Sequence, residues 1–319
     1  MTPVLDELGQ RLGPQASGPF PLADHSTYRV GGAAALGVVL DSEADVDAVR
    51  DALVGLDVPL LMVGRGSNLL VADAGFPGLA VLLGPYFETI TIDRTRVRAG
   101  GAAPLPVVAR QTVAAGLTGF EWAVGVPGSI GGAVRMNAGG HGSEMAHSLV
   151  DVRVVDLHTG TDHRVPAADL DLRYRHSSVA AHQLVTDVVL ELASGDAEES
   201  HTMINEIVAW RRENQPGGAN AGSVFTNPAG DSAGRLIDQA GAKGLRIGTA
   251  EVSVKHANFI QADVGGWADD IVALMIEVRR RVAAWAGVDL VPETRLVGFD
   301  ADTVAALGLE AVPQQETSP

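Results

Sequence analysis

The stretch GVPGSIGG, residues 125–132, holds four glycines and one proline in eight positions and contains no lysine. A glycine-rich loop can bring backbone N–H groups against a phosphate, because glycine has no Cβ to hold the ligand away. Glycines also fill tight turns, which is the better interpretation of one such loop taken alone. The stretch therefore raises one question: whether it binds a phosphate or only turns the backbone.

Neither of two well-known nucleotide loops is present. A P-loop requires Lys-Ser or Lys-Thr after a glycine pair, and no such sequence occurs. The dinucleotide fingerprint requires GxGxxG, and GRGSNL (64–69) lacks the third glycine. Two glycine loops, 63–70 and 125–142, nevertheless remain as candidates for a diphosphate cradle. The side chains that can add hydrogen-bond donors to them are Arg65, Ser67, Asn68 and Ser129.

Composition narrows the class of protein. The 319 residues are 46% apolar, as in a soluble globular protein, and carry a formal net charge of −16, which argues against general nucleic-acid binding. The absence of cysteine excludes disulfides and thiolate ligands, and the nine histidines form no HExxH motif, so no metal site is expected. The first ten residues contain two acids and no base, and no long apolar run occurs, which predicts a cytoplasmic protein without a signal peptide or membrane contact.

Hydrophobic periodicity predicts a mixed α+β fold. Helices are expected near the amino terminus and at 42–53, where Ser42 is a natural N-cap, and at 104–116, 201–214, 231–244 and 267–285. The apolar face of the 201–214 helix is assigned to Met203, Ile204, Ile207 and Val208. That of the 267–285 helix is assigned to Ile271, Leu274, Met275, Val278 and Val282. Strand patterns occur at 35–40, 59–63, 79–83, 88–93, 151–157, 184–192 and 293–299. The small, acidic run ASGDAEES (193–200) predicts a linker, and 312–319 a frayed tail.

Seven motifs then occur in a recognisable order: STYRVGG (26–32), GRGSNLLV (64–71), GVPGSIGGAVRMNAG (125–139), YRHS (174–177), GSVFTNP (222–228), KGLRIG (243–248) and PETRLVG (292–298). In this order they resemble the MurB family of UDP-N-acetylenolpyruvoylglucosamine reductases, over roughly residues 20 to 300. The resemblance implies an FAD-binding fold of the vanillyl-alcohol-oxidase (PCMH) type with a C-terminal α+β substrate-binding domain. The implied organisation is an N-terminal segment (1–20), an FAD-binding region of two lobes (21–195), the substrate domain (196–300) and a tail (301–319).

The resemblance also implies the chemistry. NADPH reduces a non-covalently bound FAD, which then reduces UDP-N-acetylglucosamine enolpyruvate in peptidoglycan precursor synthesis by a cytoplasmic enzyme, expected as a monomer. The residues expected to contact FAD are Gly64, Arg65, Gly66, Ser67, Asn68, Leu69, Gly125, Val126, Pro127, Gly128, Ser129, Gly131, Gly132 and Ala133.

Three dispersed residues match the family's catalytic positions. Arg175 would bind the substrate carboxylate, since a guanidinium grips a carboxylate with two hydrogen bonds and stays charged. Ser223 would donate the proton, and Glu293 would hydrogen-bond the developing aci-carboxylate or position a water. Asn227 and Lys243 would contact the substrate. Without the motifs, these residues would be read as a surface arginine, a turn serine, a solvated glutamate, a capping asparagine and a surface lysine.

Several points stay open at this stage. Some family members carry a tyrosine-bearing loop between the strand after the catalytic arginine and the serine motif. The three tyrosines of this chain are Tyr28, Tyr86 and Tyr174, and none lies in that region, so the chain resembles the shorter subtype without the loop. His141 either contacts the flavin or is an ordinary loop residue. Two alternative functions are another flavin oxidase of the same fold and a catalytically inactive nucleotide-sugar or flavin-binding protein.

Overall fold

In a computed structural model, residues 2–309 are described, and they confirm the α+β class. Their α-helices are α1 (Pro3–Leu12), α2 (Glu43–Leu53), α3 (Leu105–Ala114), α4 (Ile130–Arg135), α5 (Ala197–Asn214), α6 (Ala233–Gln239), α7 (Ala268–Ala286) and α8 (Ala301–Ala306). Their strands are β1 (Ala16–Ser17), β2 (Phe20–Pro21), β3 (Ala33–Leu40), β4 (Leu60–Val63), β5 (Leu69–Val71), β6 (Phe76–Leu83), β7 (Ile90–Asp93), β8 (Arg96–Gly100), β9 (Leu117–Thr118), β10 (Gly139–Gly140), β11 (Ser143–Glu144), β12 (Leu149–Asp156), β13 (Asp162–Pro166), β14 (Gln183–Glu191), β15 (Ala193–Ser194), β16 (Arg246–Ile247), β17 (Ala250–Val252), β18 (Ile260–Ala262) and β19 (Arg295–Val297). The predicted tail at 312–319 lies outside the described residues.

The first of two compact units consists of the segments up to Phe20, Ala34–Arg65 and Pro77–Glu213. One of its sheets has the order β1–β3–β6–β4, with β4 parallel to β6. The other is antiparallel, with the order β13–β12–β14–β8–β7. Helices α1 and α2 bury their apolar faces in the core that includes strands of the first sheet, and Ser42 caps α2 by accepting a hydrogen bond from Asp45 N, as predicted.

Residues 193–200, predicted as a linker, instead form β15 and the first turn of α5. Asp196 caps this helix by accepting hydrogen bonds from the N–H groups of Glu198 and Glu199. Ile204 and Ile207 are buried in the first unit's core, so α5 packs there and the unit ends at Glu213. The predicted helix face is half right, because Met203 and Val208 are exposed.

The second unit consists of Pro21–Ala33, Gly66–Phe76 and the chain from Asn214 onward. It contains the antiparallel sheet β16–β17–β18, helices α6 and α7, and β5 paired in parallel with β19. Helix α7 buries the five apolar residues that the sequence assigned to one face, namely Ile271, Leu274, Met275, Val278 and Val282. Helix α6 is shorter than the predicted 231–244. No helix within residues 2–309 combines the length and apolar character needed to cross a bilayer.

Candidate active site

The opening glycine stretch, in the first unit, leads into helix α4. Ser129 is buried and caps this helix, because its Oγ accepts a hydrogen bond from Gly132 N at 3.4 Å. Gly131 N–H donates to the carbonyl of Gly101 at 2.8 Å, and a Cβ at position 131 would lie 3.1 Å from that oxygen. Gly131 thus allows a close backbone approach that a larger residue would crowd.

The two predicted glycine loops meet, within this unit, at Gly64 and Ser129. A Cβ on Gly64 would stand 2.5 Å from Ser129 Oγ, closer than real Cβ contacts come, so only glycine fits without a shift of the serine. Gly128 N–H donates to the Val126 carbonyl at 3.0 Å, and Ala133 N–H to the Ser129 carbonyl at 2.8 Å. These N–H groups are bonded within the protein, so they fix the shape of the second loop, and the buried Ser129 hydroxyl is the polar group that lies between the two loops.

The rest of the first loop belongs to the second unit. Gly66 has φ +59°, and its carbonyl accepts hydrogen bonds from both N–H and Oγ1 of Thr27. Asn68 Nδ2 donates to the Glu293 carbonyl at 3.1 Å, and Arg295 N–H donates to the Asn68 carbonyl at 3.0 Å. Leu69 then begins β5, which pairs with β19. This part of the loop is therefore fixed to the segment that carries Glu293.

Arg175, in the first unit, lies in a tight turn closed by reciprocal backbone hydrogen bonds between Arg173 and His176, at 3.1 and 2.9 Å. Its φ is +56°, in the left-handed region that an arginine rarely adopts. The guanidinium lies over the Tyr174 ring and donates from Nη1 to the Gly139 carbonyl at 3.4 Å. The turn thus presents a half-buried cation at the cost of backbone strain.

The segment that follows the opening glycine stretch holds this turn in place. Asn137 is completely buried, and its Nδ2 donates to the Arg173 carbonyl at 3.0 Å while its Oδ1 accepts from Ala146 N at 3.0 Å. Ser177 Oγ donates to the Arg135 carbonyl at 2.9 Å. Asn137 was not among the residues predicted from the sequence. The available signal was an asparagine two residues before a glycine pair, since asparagine tolerates the left-handed region, and here its φ is +40°.

Ser223 and Glu293 are brought together within the second unit. The carbonyl of Val224, the residue after Ser223, accepts a hydrogen bond from Glu293 N at 2.7 Å. Thr226 N–H donates to the Val291 carbonyl at 2.9 Å, and Phe225 pairs with Pro292. Because Asn68 also binds Glu293, three motifs that are far apart in the sequence converge here.

The two residues predicted to contact substrate make ordinary local contacts in the second unit. Asn227 Oδ1 accepts from Ala233 N, at the start of α6, at 3.0 Å. Lys243 Nζ lies 3.2 Å from Asp238 Oδ2, and both side chains are well exposed. Burial and then the charge of Lys243 lower the pKa of His256. These contacts do not test the predicted substrate role, which stays a prediction.

His141 lies against the start of the opening stretch, inside the first unit. A Cβ on Gly125 would stand 3.2 Å from His141 Nε2 and 3.1 Å from Ile207. The imidazole packs edge-to-face on Trp210, with ring centroids 5.3 Å apart. Burial and the nearby charge of Arg211 lower the pKa of His141, which favours its neutral form.

Known proteins resemble this chain over most of its length, in both sequence and structure. Residues 20–165 match the family model described as an FAD binding domain, and residues 214–297 match the C-terminal domain of UDP-N-acetylenolpyruvoylglucosamine reductase. The reductase of Heliobacterium modesticaldum is 42% identical over 91% of this chain and 93% of its own length. That of Methylorubrum extorquens is 40% identical over 88% and 91%. The crystal structure of the Thermus caldophilus reductase (MurB) superposes with a TM-score of 0.75 at 35% identity, covering 87% of this chain and 97% of that one.

Proposed function

The chain belongs to the UDP-N-acetylenolpyruvoylglucosamine reductase (MurB) family and carries its FAD-binding domain, and from this premise we propose its substrates and residue roles. NADPH is the reductant, and UDP-N-acetylglucosamine enolpyruvate is reduced to UDP-N-acetylmuramate for peptidoglycan synthesis in the cytoplasm. The observation that carries this proposal is the convergence of Asn68, Val224 and Glu293. It supports a common role for the glycine loop, the serine motif and the glutamate motif.

FAD, when bound, would supply a hydride to the enolpyruvyl double bond, and completing the reduction requires one proton on the other carbon. Arg175 binds the substrate carboxylate, whose negative charge grows as the hydride arrives. Ser223 delivers the proton, and Glu293 hydrogen-bonds the aci-carboxylate. Asn227 and Lys243 bind the rest of the UDP-sugar. These roles account for the two cations, Arg175 and Lys243. They also account for the Ser223 hydroxyl and the Glu293 carboxyl group, since folding alone does not require these polar groups in the motifs.

The two glycine loops hold the FAD diphosphate, with backbone N–H groups and Arg65 of the first loop and the Ser129 hydroxyl of the second as donors. Gly64→Ala tests this role, because the new Cβ would press on Ser129 Oγ. We expect purified Gly64→Ala to carry less flavin per protein, measured by absorbance near the flavin band. Gly140→Ala is the matched control, because a Cβ at that position meets nothing within 4 Å, and it should keep its flavin. Equal loss of flavin in the two variants would contradict this explanation.

Anaerobic stopped-flow spectroscopy tests the reaction itself. We expect NADPH to bleach the flavin, and UDP-N-acetylglucosamine enolpyruvate to restore its colour with formation of UDP-N-acetylmuramate, identified by mass spectrometry. UDP-N-acetylglucosamine, which lacks the enolpyruvyl group, is the matched control and should leave the flavin reduced. Reoxidation by oxygen alone at a comparable rate would indicate an oxidase, and a flavin that NADPH does not bleach would indicate a binding protein.

A further inference from the structure

The loop that carries Ser223 is held on one side by a single buried residue, Asn258. Only 4% of Asn258 is exposed, and its side chain makes two hydrogen bonds to one backbone residue. Oδ1 accepts from Phe225 N at 3.0 Å, and Nδ2 donates to the Phe225 carbonyl at 2.8 Å. The Asn258 carbonyl also accepts from Val224 N at 2.9 Å.

These bonds leave the 224–225 backbone little freedom. Val224 N–H and both polar backbone groups of Phe225 are bonded to Asn258, while the Val224 carbonyl is bonded to Glu293 N. The Phe225 side chain is itself buried, at 1% exposure. Ser223 therefore follows Gly222, which has a left-handed backbone (φ +75°), and precedes a dipeptide that is fixed by hydrogen bonds.

The side chain of Asn258 is chemically specific for this task. An amide presents one acceptor and two donors in a plane, so it can pair with a peptide N–H and C=O at once, as a neighbouring strand would. Its own neighbours, Ala257, Phe259 and Ile260, are buried and apolar, so a lost partner would leave polar backbone groups of Phe225 without compensation.

We propose that Asn258 is a positioning residue for the reaction: it fixes Val224 and Phe225, and through them sets the position of the Ser223 hydroxyl relative to the Glu293 segment. This assignment rests on the proposed function, in which Ser223 delivers the proton. It predicts a defect confined to substrate reduction, because reduction of the flavin by NADPH does not use Ser223.

The test measures the two half-reactions of Asn258→Ala separately by anaerobic stopped-flow, with flavin content and Tm recorded on the same samples. We expect reduction by NADPH to stay close to wild type and reoxidation by the enolpyruvyl UDP-sugar to slow by about 10- to 100-fold, the effect of a displaced catalytic group. Asn258→Asp keeps an acceptor for Phe225 N–H but loses the donor to its carbonyl, so its defect should be in the same direction. If purified Asn258→Ala does not bind flavin, the two half-reactions are measured on Asn258→Asp instead.

Val282→Ala is the matched control, because Val282 is buried in α7 of the same unit and makes no part of the serine loop. It should lower Tm and change the rates of the two half-reactions to the same extent. Equal slowing of both half-reactions in the Asn258 variants, or the same selective defect in Val282→Ala, overturns the positioning role alone. A wild-type flavin that is not reoxidised by the enolpyruvyl UDP-sugar overturns the proposed function and this inference with it.

Discussion

The turn that carries Arg175 and the loop that carries Ser223 are both anchored by a buried asparagine, but they distribute backbone strain differently. In the arginine turn, Arg175 (φ +56°) and its anchor Asn137 (φ +40°) both take left-handed conformations. In the serine loop, the left-handed conformation falls on Gly222 (φ +75°), where a Cβ would meet nothing within 4 Å. Ser223 and Asn258 have ordinary backbones.

The difference shows what each position reveals about function. At position 175 a glycine would satisfy the backbone better, so the strain makes the arginine side chain a candidate for a functional role, although Arg29 and Arg94 have the same left-handed φ. At position 223 the left-handed conformation falls on the adjacent Gly222, so no backbone strain marks the serine. The proposed role of Arg175 therefore rests on its motif together with strain, and that of Ser223 on its motif and surroundings.

The largest effect is expected for Ser223→Ala. Removing a positioned donor in the transition state typically slows the chemical step by about 10²- to 10³-fold. Stopped-flow should show nearly normal bleaching by NADPH and a collapse of reoxidation by the enolpyruvyl UDP-sugar. Equal losses in both half-reactions would remove Ser223 from the proton-donor role.

Asn137→Ala should cost about 1–3 kcal/mol of unfolding free energy, because it removes the side-chain acceptor of Ala146 N–H and one of the two donors to the Arg173 carbonyl, which keeps only His176 N–H. Urea unfolding measures it. Asn137→Gly separates the contribution of the side-chain hydrogen bonds from that of the left-handed backbone, since glycine accepts φ +40° but makes neither hydrogen bond. If Asn137→Gly were as stable as wild type, the side-chain anchor would be unimportant and the likeness to Asn258 would fail.

Gly222→Ala should lower the unfolding free energy by about 1 kcal/mol, entirely through the left-handed backbone, because the added methyl meets open space. Thermal and urea unfolding measure this loss. Gly217→Ala is a suitable comparison, since position 217 also has open space for a Cβ and its φ lies outside the left-handed region. A smaller loss at 222 than at 217 would show that the glycine does not absorb strain.

Arg175→Gly should be more stable than Arg175→Ala by about 0.5–1 kcal/mol, since both variants lose the guanidinium and only alanine keeps the strain. Both should be equally impaired in substrate reduction. Unfolding curves of the two variants, measured side by side, give this difference directly. Equal stability would mean that the turn relaxes once the guanidinium is gone.

Sequence reasoning predicted most of the fold because the long elements follow a simple period. Helix α7 buries all five residues expected on its apolar face, and Ser42 caps α2 as predicted. Helix α5 shows the limit of such patterns, since periodicity gives the direction of an apolar face and not its width. Met203 and Val208 belong to the pattern, yet only Ile204 and Ile207 reach the core.

The anchors of the candidate site lay beyond the sequence for a different reason. Asn137 and Asn258 act through backbone groups of residues 36 and 33 positions away, which no local pattern encodes. A polar residue inside an apolar run, as in Ala257–Asn258–Phe259, was the one available signal, because a buried amide must find partners.

The pairing of β5 with β19 has a consequence for how the chain is made. Asn68 leaves the ribosome early, but its partner Glu293 is added 225 residues later. Proteins are synthesised from the amino terminus, and pairings between distant segments form last. The proposed flavin loop therefore has its Thr27 anchor at Gly66 early, but its Glu293 anchor at Asn68 only when almost the whole polypeptide has been translated, so a chain that stops short of β19 is expected to leave the Asn68 end of the loop unfixed.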